Sequence, residues 1–347
     1  MKLKVGMIGC GSITEFRHAP EYKANENVEI AAFCDPQPDR ADRLAQQFGG
    51  KVFCDYRDLL ELPGLDAVSV CTSNNTHANI TIEALDAGKH VLCEKPMATG
   101  LSDARAMVEA SRRNKRFLMI GHNQRLARAH IKAKEILESG ELGKILSFRT
   151  CFAHAGPEMW SADKGSRTWF FQKNAAAMGA LGDLAIHKAD LIRWLISDEI
   201  DEVCAALSTV DKRDHNGGLI EMEDNAICIL KSRLGVTGSL IASWTNYGRE
   251  ENYTDVYCEK GILKIFHDPD YELIVEMKNR DEIHYRMDKM QTNEKQAKSG
   301  IIDSFVQSLL EGKKPDISGE QGFEALSIIM ACLESNEKKS FVKVEHY

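Results

Sequence analysis

The amino-acid sequence predicts an α/β protein in two parts: a doubly wound parallel sheet, then an α+β domain with a largely antiparallel open sheet. Three observations carry this. Short apolar runs at 3–8, 29–33, 67–71, 90–93 and 117–120 are continuous, as in strands buried on both faces. Between them, residues 39–48, 79–87 and 103–113 repeat apolar side chains with helical period, and strands alternating with helices are the signature of βαβ units. From Glu202 to Arg286 the pattern becomes one of alternating runs, at 203–209, 225–231, 236–244, 255–259, 262–266 and 273–277. Turn signals such as Asn216-Gly217-Gly218, Leu234-Gly235 and Lys260-Gly261 separate them.

Helices are expected at 127–139 and 183–196, ahead of the alternating runs, and at 303–310 and 323–334, which close the chain. A polar stretch at 293–299 precedes the last two, and no internal repeat is visible. A chain of 347 residues exceeds one ordinary core. The expected division is 1–122 and 123–347, at the change of pattern. A net charge of −8 argues against a nucleic-acid partner, which would require a basic stripe. No run approaches the length that spans a bilayer, and a strand begins at residue 3, so neither a membrane anchor nor a signal segment is expected. The ten cysteines contain no C-x-x-C pair, which argues for reduced thiols, no metal site and a cytoplasmic location.

The chemistry-bearing residues follow the strands. Gly9-Cys10-Gly11-Ser12-Ile13 leaves the first strand and opens a helical segment. That is the tight turn through which backbone N–H groups approach a pyrophosphate at a helix N-terminus. Thr14 stands where a third small residue is usual. Asp35 ends the second strand, where an acid hydrogen-bonds the adenosine ribose and repels a 2′-phosphate. This favours NAD over NADP, with Arg40 one turn further on as the tempering feature. A Rossmann-type dinucleotide domain is therefore expected. Thr72, Ser73 and Asn74 end the third long strand, with His77 just beyond. They read equally as a helix cap and as cofactor contacts.

Glu94-Lys95-Pro96 ends the run 90–93. Proline has no N–H and biases the preceding residue toward extended backbone, so the strand stops with Lys95 at the rim where ligands bind in open α/β sheets. Asn123 and Arg125 follow the last parallel strand, where a crevice between the domains is expected. Arg125 suits bidentate recognition of a polar substrate or, equally, an interdomain salt bridge. Asp183 and His187 stand at helical i,i+4 spacing, so the carboxylate is expected beside the imidazole, fixing its tautomer and raising its basicity. Asp190 lies on nearly the same face and extends the network. The plainer reading is a helix cap at Asp183 and a surface His187. Metal binding by this pair lacks further ligand spacing. Trp169 and Phe170, just upstream, suit either the wall of a sugar-sized pocket or the core; His154 and Cys93 read as ordinary.

GMIGCGSIT, the acid in CDP, TSNNTH, HVLCEKPMA, GHNQRL and GALGDLAIHKADL occur in this order over nearly the whole chain. Together they resemble the Gfo/Idh/MocA oxidoreductases. The resemblance implies that Lys95 reaches both nicotinamide ribose and a substrate hydroxyl, and that Asp183 and His187 are the catalytic pair. It also implies cofactor contacts from Asn74, His77, Glu94 and Asn123, and substrate contacts from Arg125 and Trp169. Ser73 replaces the proline usual in the cofactor loop, Leu126 an aromatic residue, and Ala177 and Met178 stand where glycines are common. The implied activity is NAD-dependent oxidation of a secondary alcohol of a sugar or cyclitol. The alternatives are an NAD-dependent glycoside hydrolase and a non-catalytic NAD-binding regulator. Separately, an antiparallel sheet with one uncovered face often buries it against another subunit, so a homodimer or homotetramer built on the C-terminal sheet is expected.

Overall fold

The structure, a computed structural model, describes residues 2–289 and 298–347; the polar stretch 293–299 lies largely outside them. In the N-terminal half the chain runs β1 (Leu3–Ile8), α1 (Ala19–Ala24), β2 (Val28–Cys34), α2 (Pro38–Phe48), β3 (Lys51–Phe53), α3 (Tyr56–Leu60) and β4 (Ala67–Val70). It continues through α4 (Asn74–Asp86), β5 (His90–Cys93), α5 (Leu101–Asn114) and β6 (Leu118–Ile120). The strands form a parallel sheet in the order β3-β2-β1-β4-β5-β6. One face packs Val5, Met7, Phe33 and Leu92 against Tyr22 of α1 and Leu44 and Phe48 of α2. The other packs Val68, Val70, Val91 and Cys93 against Leu85 of α4 and Met107 of α5. With both faces covered, the strands read as unbroken apolar runs. Strand order reverses between β1 and β4, and this opens a crevice beyond their carboxyl ends.

The second half contains α6 (Arg128–Glu138), β7 (Ile145–Ala153), α7 (Lys173–Ala176), α8 (Ile186–Ile196) and β8 (Ile200–Ser208). After these come β9 (Asn225–Ser232), β10 (Thr237–Ser243), β11 (Glu251–Cys258), β12 (Gly261–Ile265), β13 (Leu273–Met277) and β14 (Glu282–Tyr285). Two helices, α9 (Ile301–Glu311) and α10 (Gly319–Lys338), and the short β15 (Val342–Lys343) complete the described chain. The second sheet has the order β14-β13-β12-β11-β7-β10-β9-β8-β15 and is antiparallel except where β7 meets β10. Its central strand, β7, has no counterpart in the sequence expectation. Ser147, Arg149 and Thr150 interrupt its apolar run, and their neighbours on β10 and β11 are distant in sequence.

Two further differences matter for the site. The helix expected over 79–87 begins at Asn74, so the segment 72–74 sits at its first turn. The helix expected from 183 opens with a π-helical turn, Leu181–Ala185, before α8. A division at 122 separates the two sheets but not the layers around them. Ile301, Ile302, Phe305 and Val306 of α9 pack with Val5, Met7 and Phe33 of the first sheet. The Ile120 N–H donates to the Ile317 carbonyl at 2.9 Å. α10 then lies against α5 and β6 on one side and α8 and β8 on the other. After the second sheet the chain thus returns to the first, where α9 adds its apolar side chains to the cluster formed with α1 and α2.

On β9, Ala226, Cys228 and Leu230 face inward, while Ile227 and Ile229 are 59% and 44% exposed on the outer face. No helix among the described residues is long and apolar enough to cross a membrane.

Candidate active site

The crevice at the β1–β4 reversal begins with the glycine loop. Gly9 has φ +93°, and a Cβ there would stand 2.5 Å from the Cys71 carbonyl oxygen, so only glycine lets β1 and the end of β4 approach. Thr14, the departure from the usual small residue, is buried, and its hydroxyl donates to the Gly9 carbonyl at 2.6 Å. The side chain thus fastens the loop, at the start of a π-helical turn, Thr14–His18. Asp35 Oδ2 accepts from the Cys10 N–H at 2.8 Å, and Oδ1 accepts from the Gln37 N–H at 2.9 Å. The acid therefore also braces the loop. Gly11, Ser12, Ile13, Asp35 and Arg40 all line the cleft.

Thr72, Ser73, Asn74 and His77 line the same cleft. Ser73 occupies the N-cap position of α4 without a side-chain capping bond; its hydroxyl donates to Asn75 instead. Asn74 Nδ2 donates to the Ala176 carbonyl at 2.9 Å, so this amide ties the first domain to the second. The His77 ring lies between the Pro96 and Thr72 carbonyls, at 2.8 and 3.0 Å, and so clamps the Glu94-Lys95-Pro96 turn to this loop. Burial holds that imidazole below its usual pKa, so the neutral ring donates to one carbonyl at a time. The Lys95–Pro96 bond is cis.

Glu94 is buried, and its Oε1 accepts from His18 Nε2 at 3.0 Å with Arg17 at 3.5 Å. Burial raises its pKa, but the His18 hydrogen bond and the neighbouring positive charges outweigh that and hold the carboxyl at about 2. Glu94 thus fixes the turn from the side of the first domain. Lys95 is fixed from the other: its Nζ donates to Asp183 Oδ1 at 2.8 Å and to the Asp183 carbonyl at 3.0 Å. Asp183 Oδ2 accepts from Trp244 Nε1 at 3.1 Å.

This corrects the expected Asp183–His187 pairing. Helical spacing does bring the two residues to one cleft wall, but both carboxylate oxygens are taken by partners from other elements. His187 Nδ1 is buried with no hydrogen-bond partner among the described residues. Burial, reinforced by the Lys95 charge, keeps this imidazole well below its usual pKa, so it is neutral at pH 7. Its ring stands 6.3 Å from His122 and 6.0 Å from Phe152, centroid to centroid.

Arg125 is likewise corrected. Its guanidinium forms a bidentate pair with Asp190, at 2.5 and 2.6 Å, and donates to Gln321 at 2.9 Å, so it lies behind the cleft wall rather than in it. An ion pair does form, but with Asp190 of the same half of the chain and not across the two domains. It also takes Asp190 out of any network with His187. Asn123 lines the cleft from a 3₁₀ turn. Trp169 lines it too, stacked on Phe170 with centroids 3.9 Å apart; Phe152, His154 and Trp160 extend this aromatic wall. Among the described residues the one His/carboxylate group close enough to share an ion is Glu199, Glu324 and His346, near the C-terminus and away from the cleft.

Several residues that sequence reasoning missed hold these groups in place. Arg17, His18 and Trp244 grip Glu94 and Asp183. Glu223 accepts the Gly179 and Leu181 N–H groups, at 2.8 and 3.0 Å, and so anchors the start of the Asp183 turn. A Cβ on Gly179 would overlap the Glu223 backbone, which makes this the glycine the segment needs. Ala177 holds φ +64° two residues earlier. No local spacing announces any of these contacts. Lys188, next to His187, is fully buried and lies 5.9 Å from the Phe152 ring centroid; its amine has no hydrogen-bond partner among the described residues.

Together these groups line a cavity of about 570 Å³ that runs from Asp35 and Arg40, past Lys95, to the aromatic wall. The turn at Gly9, the helix starts at Thr14 and Asn74, and the buried acid at the end of β2 fit a dinucleotide laid across the crevice. Fold and site define a nicotinamide-dependent oxidoreductase. Residues 3–122 match the oxidoreductase family with an NAD-binding Rossmann fold, and residues 130–264 match the GFO/IDH/MocA C-terminal domain. The chain belongs to this Gfo/Idh/MocA oxidoreductase family, and its cofactor is NAD. It is 28% identical to the myo-inositol 2-dehydrogenase of Thermotoga maritima, over 99% of each chain. To the levoglucosan dehydrogenase of Pseudarthrobacter phenanthrenivorans it is 27% identical, over 99% of this chain and 98% of that one. Among solved structures, a levoglucosan dehydrogenase in complex with NADH and levoglucosan superposes with a TM-score of 0.88 at 26% identity, over the full length of both.

Lys188 generates a pH-dependent prediction. Burial pushes its amine down to about 7, whereas in the unfolded chain it keeps its proton to about 10.4. Between those values the unfolded chain binds more protons, so this residue's contribution to stability rises with pH. Lys188→Met should therefore stabilise the fold by about 1–3 kcal/mol at pH 7, with the gain shrinking toward pH 10. Urea midpoints at pH 7 and 9.5 check both the sign and the trend.

Proposed function

We propose that this enzyme moves hydride between a secondary alcohol of a sugar or cyclitol and NAD, reversibly, at the junction marked by Lys95. The observation that carries the reading is the pairing of an anchored ammonium with a neutral imidazole on one cleft wall. An ammonium has three N–H donors, and Asp183 takes two of those on Lys95. The third is available to a substrate oxygen. An N–H at a developing alkoxide stabilises negative charge as it forms, commonly the largest catalytic term.

In this mechanism Asp183 positions Lys95, and Lys95 polarises the hydroxyl. His187, neutral because of its burial, takes the hydroxyl proton. When bound, NAD supplies the hydride acceptor, held by the glycine loop, Asp35, Thr72, Ser73, Asn123 and the Glu94–Lys95 turn. Trp160, Trp169, Phe170 and Phe152 give the cleft the apolar, flat wall that sugar C–H faces pack against. The relatives named for inositol and levoglucosan oxidation support the polyol class.

The test is NADH formation over a panel of inositols, aldoses and glycosides, repeated with NADP⁺. On the best substrate, Lys95→Ala and His187→Ala should each lower turnover by roughly 10²-fold or more while NADH still binds. Near-normal turnover in both variants sinks the assignment; release of aglycone without net NADH makes the enzyme a hydrolase instead.

We also propose that the outer face of the second sheet is covered by another copy of the chain. Ile227 and Ile229 side by side on β9 support this, since an apolar sheet face is ordinarily buried. Light scattering should give the mass of two or four chains, and a monomer at micromolar concentration contradicts the idea.

A further inference from the structure

We propose that Asp163, which the substrate domain carries across to the adenosine end of the cleft, is a second determinant of cofactor choice. It excludes a 2′-phosphate by occupying Arg40. The proposal rests on the cleft being the NAD site and is independent of which alcohol is oxidised.

Arg40 lies on α2, one turn beyond Asp35, and lines the cleft with Asp35, Pro36 and Gln37. The other lysine and arginine side chains on the described cleft lining, Arg17 and Lys95, are gathered at the Glu94 turn. Arg40 is therefore the one guanidinium placed to bind a phosphate on the adenosine ribose. A guanidinium recognises phosphate through paired N–H donors, and a ribose 2′-phosphate is tolerated beside an acid such as Asp35 only when such a partner is free. Here it is engaged: Arg40 Nη2 donates to Asp163 Oδ1 at 2.6 Å.

Asp163 reaches that position on a built strap. Ser12 Oγ, in the glycine loop, donates to the Trp160 carbonyl at 3.1 Å, which pins the segment to the first domain. Ser161 Oγ donates to the Asp163 carbonyl at 2.9 Å, and the Gly165 N–H to the Glu158 carbonyl at 2.9 Å. From behind, the buried Lys212 amine binds Glu158 Oε1 and the Ala155 carbonyl, both at 2.5 Å. The strap thus crosses from one domain to the other and sets a carboxylate on Arg40. NADP would have to take Arg40 from Asp163 to offset the charge of Asp35. NAD makes no such demand.

The experiment measures binding rather than turnover, so it does not depend on the alcohol. NADH and NADPH are titrated into the full-length protein, with nicotinamide fluorescence as the readout, for wild type, Asp163→Ala, Asp163→Asn and Asp163→Ala/Arg40→Ala. The expected result is a shift of the NADPH/NADH dissociation-constant ratio toward NADPH by roughly tenfold or more in Asp163→Ala. A smaller shift in the same direction is expected in Asp163→Asn, with NADH affinity held within about threefold in both. Adding Arg40→Ala should cancel the gain. An unchanged ratio in Asp163→Ala overturns the proposal, and so does a gain that survives loss of Arg40.

Discussion

The ion pair between Lys95 and Asp183 joins two sets of constraints that start on different sheets. From the parallel sheet, Arg17 and His18 grip Glu94 while His77 reaches the Pro96 carbonyl, so the turn carrying Lys95 has little freedom. From the second domain, Glu223 fixes the start of the π turn, and buried Trp244 donates to Asp183 Oδ2. The two meet in one charge-assisted hydrogen bond of 2.8 Å, with side chains only 15% and 5% exposed. Losing one partner of such a pair costs about 3–5 kcal/mol, because the other is left buried and uncompensated. The cleft therefore depends on both domains being in register.

That constraint also sets the electrostatics of the cleft. An ammonium fixed beside a buried imidazole disfavours a second positive charge, which is one reason His187 is neutral. A neutral imidazole can accept a proton, and a cation beside it can hold the oxygen left behind. The proposed division of labour rests on burial and charge. It requires no bond between Asp183 and His187, and the carboxylate that the helix places near the histidine serves the lysine instead.

Much of this was legible in the sequence, for identifiable reasons. The strands buried on both faces were readable as continuous apolar runs, and Lys95 was readable because Pro96 ends its strand at the rim where ligands bind. Asp35 was readable as a cleft residue from its place after β2. What was not legible depends on partners far apart in the chain. Trp244 lies 61 residues from Asp183, and Lys95 lies 88, so spacing within the helix could name neighbours on a face but not the bond that forms. Arg125 finds Asp190 65 residues on, which turned a substrate candidate into a structural pair. Asp163 and Trp160 belong to a segment with no period at all. The place of α9 on the first sheet was hidden for the opposite reason: its amphipathic pattern shows a buried face without saying which core receives it.

The central claim is that Asp183 acts through Lys95 and not through His187. The direct measurement is turnover of Asp183→Asn in two backgrounds, wild type and Lys95→Ala. If the carboxylate only positions the lysine, its loss costs roughly 10-fold or more in the wild-type background and less than about threefold once Lys95 is gone. A further loss of roughly tenfold in the Lys95→Ala background would mean that Asp183 serves His187 after all, and would contradict a role confined to the lysine.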